Sequence, residues 1–203
     1  MNTGGAKNRP YDTRKRASAA AETGRRILQA TEDLFMEGPL SDVTLNAVAA
    51  RAGVTVQTVI RRYGDRLGLI NATAEAVSAR VVGQRSAAPS GDVRAAVENL
   101  VEHYETTGAL ALKMLAEEET SPVLASITGT GRGLHRQWCE RVFAPFLDAD
   151  FPADGPDRNR RLAQFVAICD VYTWKLLRLD AGLDRSQVAL SLLEMLDPFT
   201  RRP

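Results

Sequence analysis

The chain has 203 residues, of which 44% are hydrophobic, and a formal net charge of +1, so it fits one large globular domain or two small ones. Its two cysteines, Cys139 and Cys169, are too few and too far apart for a disulfide framework. The sequence contains no apolar run of roughly 18 residues and no apolar N-terminal stretch, so we expect no membrane span, no secretory signal and a cytoplasmic protein.

The N-terminal segment, residues 1–17, is polar, contains five basic residues and lacks the pattern of a buried face. We predict a disordered basic arm, which either becomes ordered in the minor groove of DNA or remains a flexible tail. From Ile27 to Phe35 the apolar residues follow helical spacing. This spacing predicts a first amphipathic helix that ends at Gly38.

Residues 44–66 contain two short helical patterns separated by Gly53, and a threonine precedes each of them. The hydroxyls of Thr44 and Thr55 can accept N–H groups of the first helical turn, and Gly53 can adopt the left-handed backbone of a turn. Two short helices joined in this way predict a helix-turn-helix, whose second helix can enter the major groove of DNA.

The second helical pattern, over residues 56–63, has two faces of different character. Val59 and Tyr63 lie four residues apart and are predicted to point inward. Gln57 and Arg61, also four apart, lie on another face with apolar residues beside them. We predict that this second face contacts DNA.

Positive charge is concentrated near this motif. Residues 1–80 contain 12 Lys and Arg against 8 Asp and Glu, whereas the remaining residues contain 14 against 17. A basic front and a mildly acidic back are typical of a DNA-binding head on a body with another role, although a chance imbalance explains so small a difference equally well. The predicted DNA-binding residues are Thr44, Asn46, Thr55, Val56, Gln57, Thr58, Ile60, Arg61, Arg62, Tyr63 and Arg66. Of these, Arg61, Arg62 and Arg66 are predicted to lie near phosphates.

At these residues the chain resembles the TetR family of transcriptional regulators, from about Thr23 to Val77. The matching positions include Leu34, Phe35, Thr44, Ala49, Ala52, Gly53, Val54, Thr58, Arg66 and Leu69. Beyond this segment the chain is similar to the family only as a helical domain of suitable length. The resemblance implies a homodimer that binds a palindromic DNA operator and a small-molecule effector.

The chain departs from the family at two positions of the second helix. Gln57 stands where the family usually has glycine, and Ile60 stands where it has a tyrosine that typically contacts a phosphate. That contact is therefore missing, or supplied by Arg61 or Arg62. The amide of Gln57 instead offers a bidentate pair with adenine.

The remaining sequence predicts further helices and no strands. A fourth helix follows Asp65, and a loop over residues 87–91 separates it from the rest. The later helical patterns cover residues 92–106, 109–118, 122–147, 157–180 and 185–197. We therefore predict an all-α fold of about nine helices, divided into the disordered basic arm 1–17, a helix-turn-helix domain 18–85 and an effector-binding and dimerisation domain 86–203.

Several candidate chemical sites in the back half are better explained as structure. The glycine-rich segment 129–133 has neither the preceding strand of a dinucleotide fingerprint nor the lysine of a phosphate loop. His135 and Cys139 lie four residues apart but form only half of a metal site. The acidic residues 117–119 are either a solvated helix end or a partner for a cationic effector. We predict no catalytic residue, no metal and no cofactor.

The aromatic and apolar residues of the back half predict a pocket and an interface. We expect the pocket for an apolar or amphipathic molecule between the helices of 92–106, 122–147 and 157–180. The predicted effector-binding residues are His103, Tyr104, Met114, Trp138, Cys139, Phe165 and Cys169. An apolar stripe on the last two helices predicts a homodimer. The predicted interface residues are Leu162, Phe165, Val166, Tyr172, Leu192 and Met195.

The sequence therefore predicts a DNA-binding transcriptional regulator and not an enzyme, most simply a repressor released by its ligand. Two alternatives stay open at this stage. One is a helical adaptor that binds a protein partner, and the other is a small-molecule-processing protein that retains a vestigial DNA-binding head.

Overall fold

The computed structural model describes residues 9–147 and 155–201. Within these ranges every regular element is helical, which confirms the predicted all-α fold. The chain divides into two compact units, Met1–Val77 and Ser78–Pro203. The division falls inside one helix, whereas the sequence predicts a functional boundary between residues 85 and 86. The described helices include none that is long and apolar enough to cross a membrane.

The first unit contains α1 (Arg9–Glu37), α2 (Leu45–Ala52), α3 (Val56–Tyr63) and the start of α4 (Arg66–Arg85). Of the arm expected to be disordered, residues 1–8 lie outside the described residues. Residues 9–17, however, form the first turns of α1, which corrects that expectation. Alanine, lysine and arginine are strong helix formers, and proline is tolerated in a first helical turn.

The core of the first unit is formed where the inward faces of these helices meet. Ile27 and Phe35 of α1, Val48 of α2 and Val59 of α3 are all buried. Together with buried residues of α4 they bury the apolar stripes that the sequence pattern predicts.

The second unit contains α5 (Val93–Glu117), α6 (Pro122–Val142), α7 (Ala144–Leu147), α8 (Pro156–Ile168), α9 (Val171–Lys175) and α10 (Arg185–Thr200). A π-helical turn, Leu176–Asp180, follows α9 directly. The predicted helix starts are confirmed: Asp92, Ser121 and Asp184 each accept a backbone N–H of the following turn.

Predicted helix boundaries are wrong at three places, one of which is the pattern 122–147, where α6 ends at Val142 and α7 begins at Ala144. The patterns 92–106 and 109–118 form the single helix α5. Gly108, which falls between the two patterns, is part of this helix and packs against Trp174, where a Cβ would come within 2.6 Å of the ring. The pattern 157–180 is divided, because the Asp170 carboxylate accepts the N–H of Tyr172 and starts a new helix. Side-chain hydrogen bonding at Asp170 therefore competes with continuation of α8.

Stacked aromatic rings fill the centre of the second unit. Phe143 and Phe165 stack with ring centroids 4.3 Å apart, and Trp138 meets Phe143 edge-on at 6.2 Å. Phe199 of α10 approaches Phe165 at 6.1 Å. This offset and edge-on packing is the favoured geometry of aromatic pairs, so it joins α6, α8 and α10 into one core.

Polar side chains are also buried in this unit, among them His103 on α5, which is 8% exposed. Burial, together with the nearby charge of Arg85, lowers the pKa of His103 from 6.5 to about 3. The folded protein therefore holds His103 in the neutral form.

The free energy of unfolding should depend on pH through the protonation of His103. As the pH falls from 6.5 towards 3, the unfolded chain binds a proton at residue 103 that the folded chain excludes. The stabilisation is complete above pH 6.5 and is lost on acidification, by up to about 1.4 kcal/mol per pH unit. His103→Gln should remove this contribution. Urea unfolding at several pH values measures it, and equal slopes in variant and wild type would contradict the assignment.

Candidate functional site

The turn between α2 and α3 has the geometry that the sequence predicts. Thr44 caps α2 by accepting the N–H of Ala47 at 3.1 Å. Gly53 ends α2 in the left-handed region, with φ 63° and ψ 43°. Thr55 caps α3 by accepting the N–H of Thr58 at 3.2 Å. Because a side chain in the left-handed region is strained, glycine fits this turn better than any other residue.

The helix α3 separates an inner and an outer face. Val59 is fully buried, and the Tyr63 hydroxyl donates to the Gly24 carbonyl at 3.3 Å, so both point inward as predicted. Gln57, Ile60 and Arg61 are exposed. These three side chains, the α3 outer face, place an amide, an aliphatic group and a cation on one side of the helix.

Two of the predicted phosphate-binding arginines have structural contacts within the first unit. Arg66 donates from Nε to the Val43 carbonyl at 2.7 Å and from Nη2 to the Leu40 carbonyl. Arg62 donates from Nη1 to the Ala20 carbonyl at 3.0 Å. These guanidinium groups hold elements of the first unit together, and the predicted phosphate contacts of Arg62 and Arg66 stay a prediction.

The close approach of Arg62 to α1 depends on Gly24, where a Cβ would overlap the guanidinium. A glycine inside an otherwise helical pattern was the sequence signal for this contact. The other predicted DNA residues, Thr44 and Asn46 at the start of α2, are exposed, while Val56 and Thr58 are half-buried.

The predicted effector residues fall mostly in the core of the second unit. His103, Tyr104, Trp138, Cys139, Phe165 and Cys169 are buried, and the Tyr104 hydroxyl donates to the Cys169 carbonyl at 2.9 Å. Met114 is half-buried and lies about 15 Å further along α5, so it is not part of this group.

A residue that the sequence analysis missed lies beside this group. Arg85, at the end of α4, is 6% exposed. Its Nη1 donates to Nδ1 of His135 at 3.1 Å, and its guanidinium lies over the Trp138 ring, 4.0 Å from the centroid. Its carbonyl accepts the indole N–H of Trp138 at 3.0 Å. Val77, Val81 and Arg85 are spaced four residues apart, so the sequence places Arg85 on the inward face of α4. This spacing was the sequence signal for its burial.

The buried residues around Arg85 influence one another's protonation. Burial lowers the pKa of Arg85, and Tyr104, Cys139 and Cys169 oppose this shift. Burial also raises the pKa of Tyr104. Burial disfavours the Cys139 thiolate, but hydrogen bonding from Cys169 and His135 outweighs it and lowers the Cys139 pKa. We call Arg85, His103, Tyr104, His135, Trp138, Cys139 and Cys169 the Arg85 cluster.

A separate open groove lies between the end of α4 and the start of α5, with a volume of about 600 Å³. Its lining includes Gln84, Pro89, Asn99, Glu102 and Arg185. None of the predicted effector residues lines this groove, so the groove and the Arg85 cluster are different places.

Three of the predicted interface residues lie in the core of a single subunit. Leu162, Phe165 and Leu192 are at most 1% exposed. A side chain buried within one subunit is not available to a partner in the same conformation, so these residues are removed from the predicted interface. Val166 is half-buried, whereas Tyr172 and Met195 are exposed.

Comparison with known proteins shows which family shares these features. Residues 27–73 match the family described as bacterial regulatory proteins, tetR family. The chain is 24% identical over 182 residues to the HTH-type transcriptional regulator AlkX of Mycobacterium tuberculosis, covering 87% of this chain and 84% of that protein.

Solved structures show the same fold. A transcriptional regulator from Rhodococcus sp. Rha1 superposes with a TM-score of 0.64 at 18% identity, covering 89% of this chain and 99% of that one. A Rhodococcus sp. protein described as a TetR-family transcriptional regulator gives 0.63 at 16% identity, covering 89% of this chain and all of the other.

Replacing an arginine that bonds backbone carbonyls should lower the free energy of unfolding more than replacing an arginine on the α3 outer face. Arg66→Met leaves the carbonyls of Val43 and Leu40 without their donor and should lower the free energy of unfolding by about 1–3 kcal/mol. Arg61→Met, on the exposed face, should change it by less than about 0.5 kcal/mol. Denaturant titration compares them, and equal losses would show that the Arg66 contacts do not stabilise the unit.

Proposed function

Because this chain belongs to the TetR family of bacterial regulatory proteins, we propose that it is a homodimeric repressor that leaves its DNA operator when a small molecule binds the second unit. Membership of the family makes it a DNA-binding transcriptional regulator. The observation that supports the proposal is the α3 outer face, which is exposed on a helix capped at its start and joined to α2 by the left-handed Gly53.

The chemistry of the α3 outer face suits the major groove. The Gln57 amide can bond both N6 and N7 of adenine, and the Ile60 side chain can contact a thymine methyl group. Arg61 is the basic residue on this face whose exposure leaves it available to a phosphate. We therefore assign base recognition to Gln57 and Ile60, and backbone positioning to Arg61.

Regulation would operate through linkage between the effector and DNA. Two recognition helices in a dimer fit successive half-sites when they are about 34–36 Å apart. An effector that binds better to a conformation with another spacing lowers DNA affinity by the coupling free energy, typically about 1–3 kcal/mol. Such a protein acts on the chromosome, which places its function in the cytoplasm.

The dimer surface that we propose is formed by the exposed apolar residues of the last helical segments. Tyr172 and Leu176 lie four residues apart and share one side of the helix, and Leu179 follows in the π-helical turn. Each is more than half exposed, as is Leu190 on α10. Exposed apolar rows of this kind are typical of an interface between identical subunits.

Binding to DNA should depend on salt and on two residues in different ways. Affinity should fall steeply as salt rises, with a log–log slope of several units for a dimer with several phosphate contacts. Arg61→Ala should weaken all sequences similarly and reduce that slope, whereas Gln57→Ala should cost about 1–3 kcal/mol at the preferred site and relax one base position.

Two exposed residues of the first unit provide matched controls for this experiment. Arg51→Ala removes a charge that is bonded to Glu37, and Gln29→Ala removes an amide bonded to Asp33. Selection of bound fragments from a genomic library, followed by titration at two salt concentrations, supplies the site and the affinities. Binding that does not respond to salt, or uniform losses for both Gln57→Ala and Arg61→Ala, would overturn the assignment.

Dimerisation should depend on the exposed apolar row. Leu176→Asp places a charge on a side chain that is 60% exposed, so the subunit should still fold but the dimer should dissociate. Val82→Asp, at a site that is 47% exposed on α4, is the control and should remain dimeric. Sedimentation at several concentrations measures both, and a dimeric Leu176→Asp protein would place the interface elsewhere.

A further inference from the structure

The buried Arg85 guanidinium of the second unit forms no ion pair with a carboxylate among residues 9–147 and 155–201. Two groups hold the Arg85 side chain: the ring nitrogen of His135 at 3.1 Å and the face of Trp138 at 4.0 Å. The Nε and Nη2 atoms of Arg85 are buried and have no hydrogen-bond partner among residues 9–147 and 155–201. The group thus carries two unused donors inside an otherwise well-packed core.

Such an arrangement is unfavourable in the absence of a counter-charge. A guanidinium stays protonated in proteins, and taking it out of water costs free energy that only an anion with good geometry offsets. The thiols of Cys139 and Cys169 and the phenol of Tyr104 support the charge of Arg85, but none of them lies in hydrogen-bond geometry with Nε or Nη2. The Tyr104 hydroxyl donates to the Cys169 carbonyl at 2.9 Å. A ligand with acceptor oxygens can therefore satisfy the two donors that the described residues leave unbonded.

The identity of the two unused atoms defines the shape of that ligand. Nε and Nη2 lie on the same edge of the guanidinium, where their N–H bonds run parallel and match the two oxygens of a carboxylate. His135 holds the third nitrogen, and its own Nε2 donates to the Val166 carbonyl at 3.1 Å. With Trp138 covering one face, the orientation of this donor edge is fixed before a ligand arrives.

We propose that Arg85 binds the carboxylate of a small apolar organic acid through Nε and Nη2, and that this acid is the effector of the second unit. Its role as effector rests on the proposed function, whereas its binding does not. The rings of Tyr104 and Trp138, both buried near Arg85, supply the apolar surroundings that such an acid needs. Because these side chains are packed together, the acid enters only as they move, which couples binding to the conformation of the unit.

The test compares acids with their neutral isosteres on the full-length protein. Octanoate and benzoate are the carboxylate probes, octanamide and benzamide keep the shape without the charge, and inorganic phosphate is the anion without the apolar part. Isothermal calorimetry and thermal unfolding should show binding of at least one carboxylate, with its amide at least about tenfold weaker. Equal binding of acid and amide, binding of phosphate as strong as that of the acids, or no binding of any probe overturns the proposal.

Variants of Arg85 test the donor edge itself. Arg85→Met should abolish carboxylate binding, and Arg85→Lys, which keeps the charge but not the two parallel donors, should weaken it at least about tenfold. Arg136→Met removes an exposed arginine from α6 and should bind like the wild type. If Arg85→Met does not fold, Arg85→Lys and the amide comparison still decide, and wild-type affinity in Arg85→Lys overturns the assignment to Nε and Nη2.

DNA release separates the two proposals. Adding the bound carboxylate to the protein–DNA complex should release DNA from the wild type and not from Arg85→Lys. Binding of the acid without release supports the site and overturns its role as effector. If the protein binds no DNA in any fragment pool, the proposed repressor function fails, and calorimetry still decides whether Arg85 binds the acid.

Discussion

The desolvation of one guanidinium constrains much of the second unit. The Arg85 carbonyl accepts N–H groups from Trp138 at 3.0 Å and from Arg141 at 3.1 Å, while the Arg85 side chain orients His135. In a low-dielectric interior these interactions are stronger than in water, and so is the effect of the charge on its neighbours. The pKa of His103 falls to about 3 through burial and through this charge. Three contacts therefore join the end of α4 to α6 around Arg85.

In the first unit, arginines of similar sequence context have opposite roles. Arg61 and Arg62 are adjacent, yet Arg61 lies on the α3 outer face while Arg62 reaches back to the Ala20 carbonyl. Adjacent residues of a helix point about 100° apart, so one of them faces α1 and the other faces away from it. Net charge near the motif consequently does not tell which cations lie on the α3 outer face and which contact α1.

The apolar stripe of the last helices shows a similar ambiguity. The helical spacing of apolar residues predicts Leu162 and Leu192 as interface residues, but both are buried in the core of the same subunit. Leu176 and Leu179 have the same chemistry and remain exposed. Periodicity distinguishes a buried face from a solvated one, but it does not tell whether the covering surface belongs to the same chain or to a second copy.

The sequence by itself determined the helical class, the two threonine caps, the left-handed turn at Gly53 and the outward direction of Gln57 and Arg61. Each of these depends on neighbours within a few residues, where backbone and side-chain preferences decide. Only the tertiary structure decided that Arg62 and Arg66 bond backbone carbonyls of the first unit, and that Arg85 is buried with no carboxylate partner in the part of the chain that the structure describes. Those outcomes depend on contacts between residues as far apart as Arg85 and His135, and local sequence patterns do not encode such contacts.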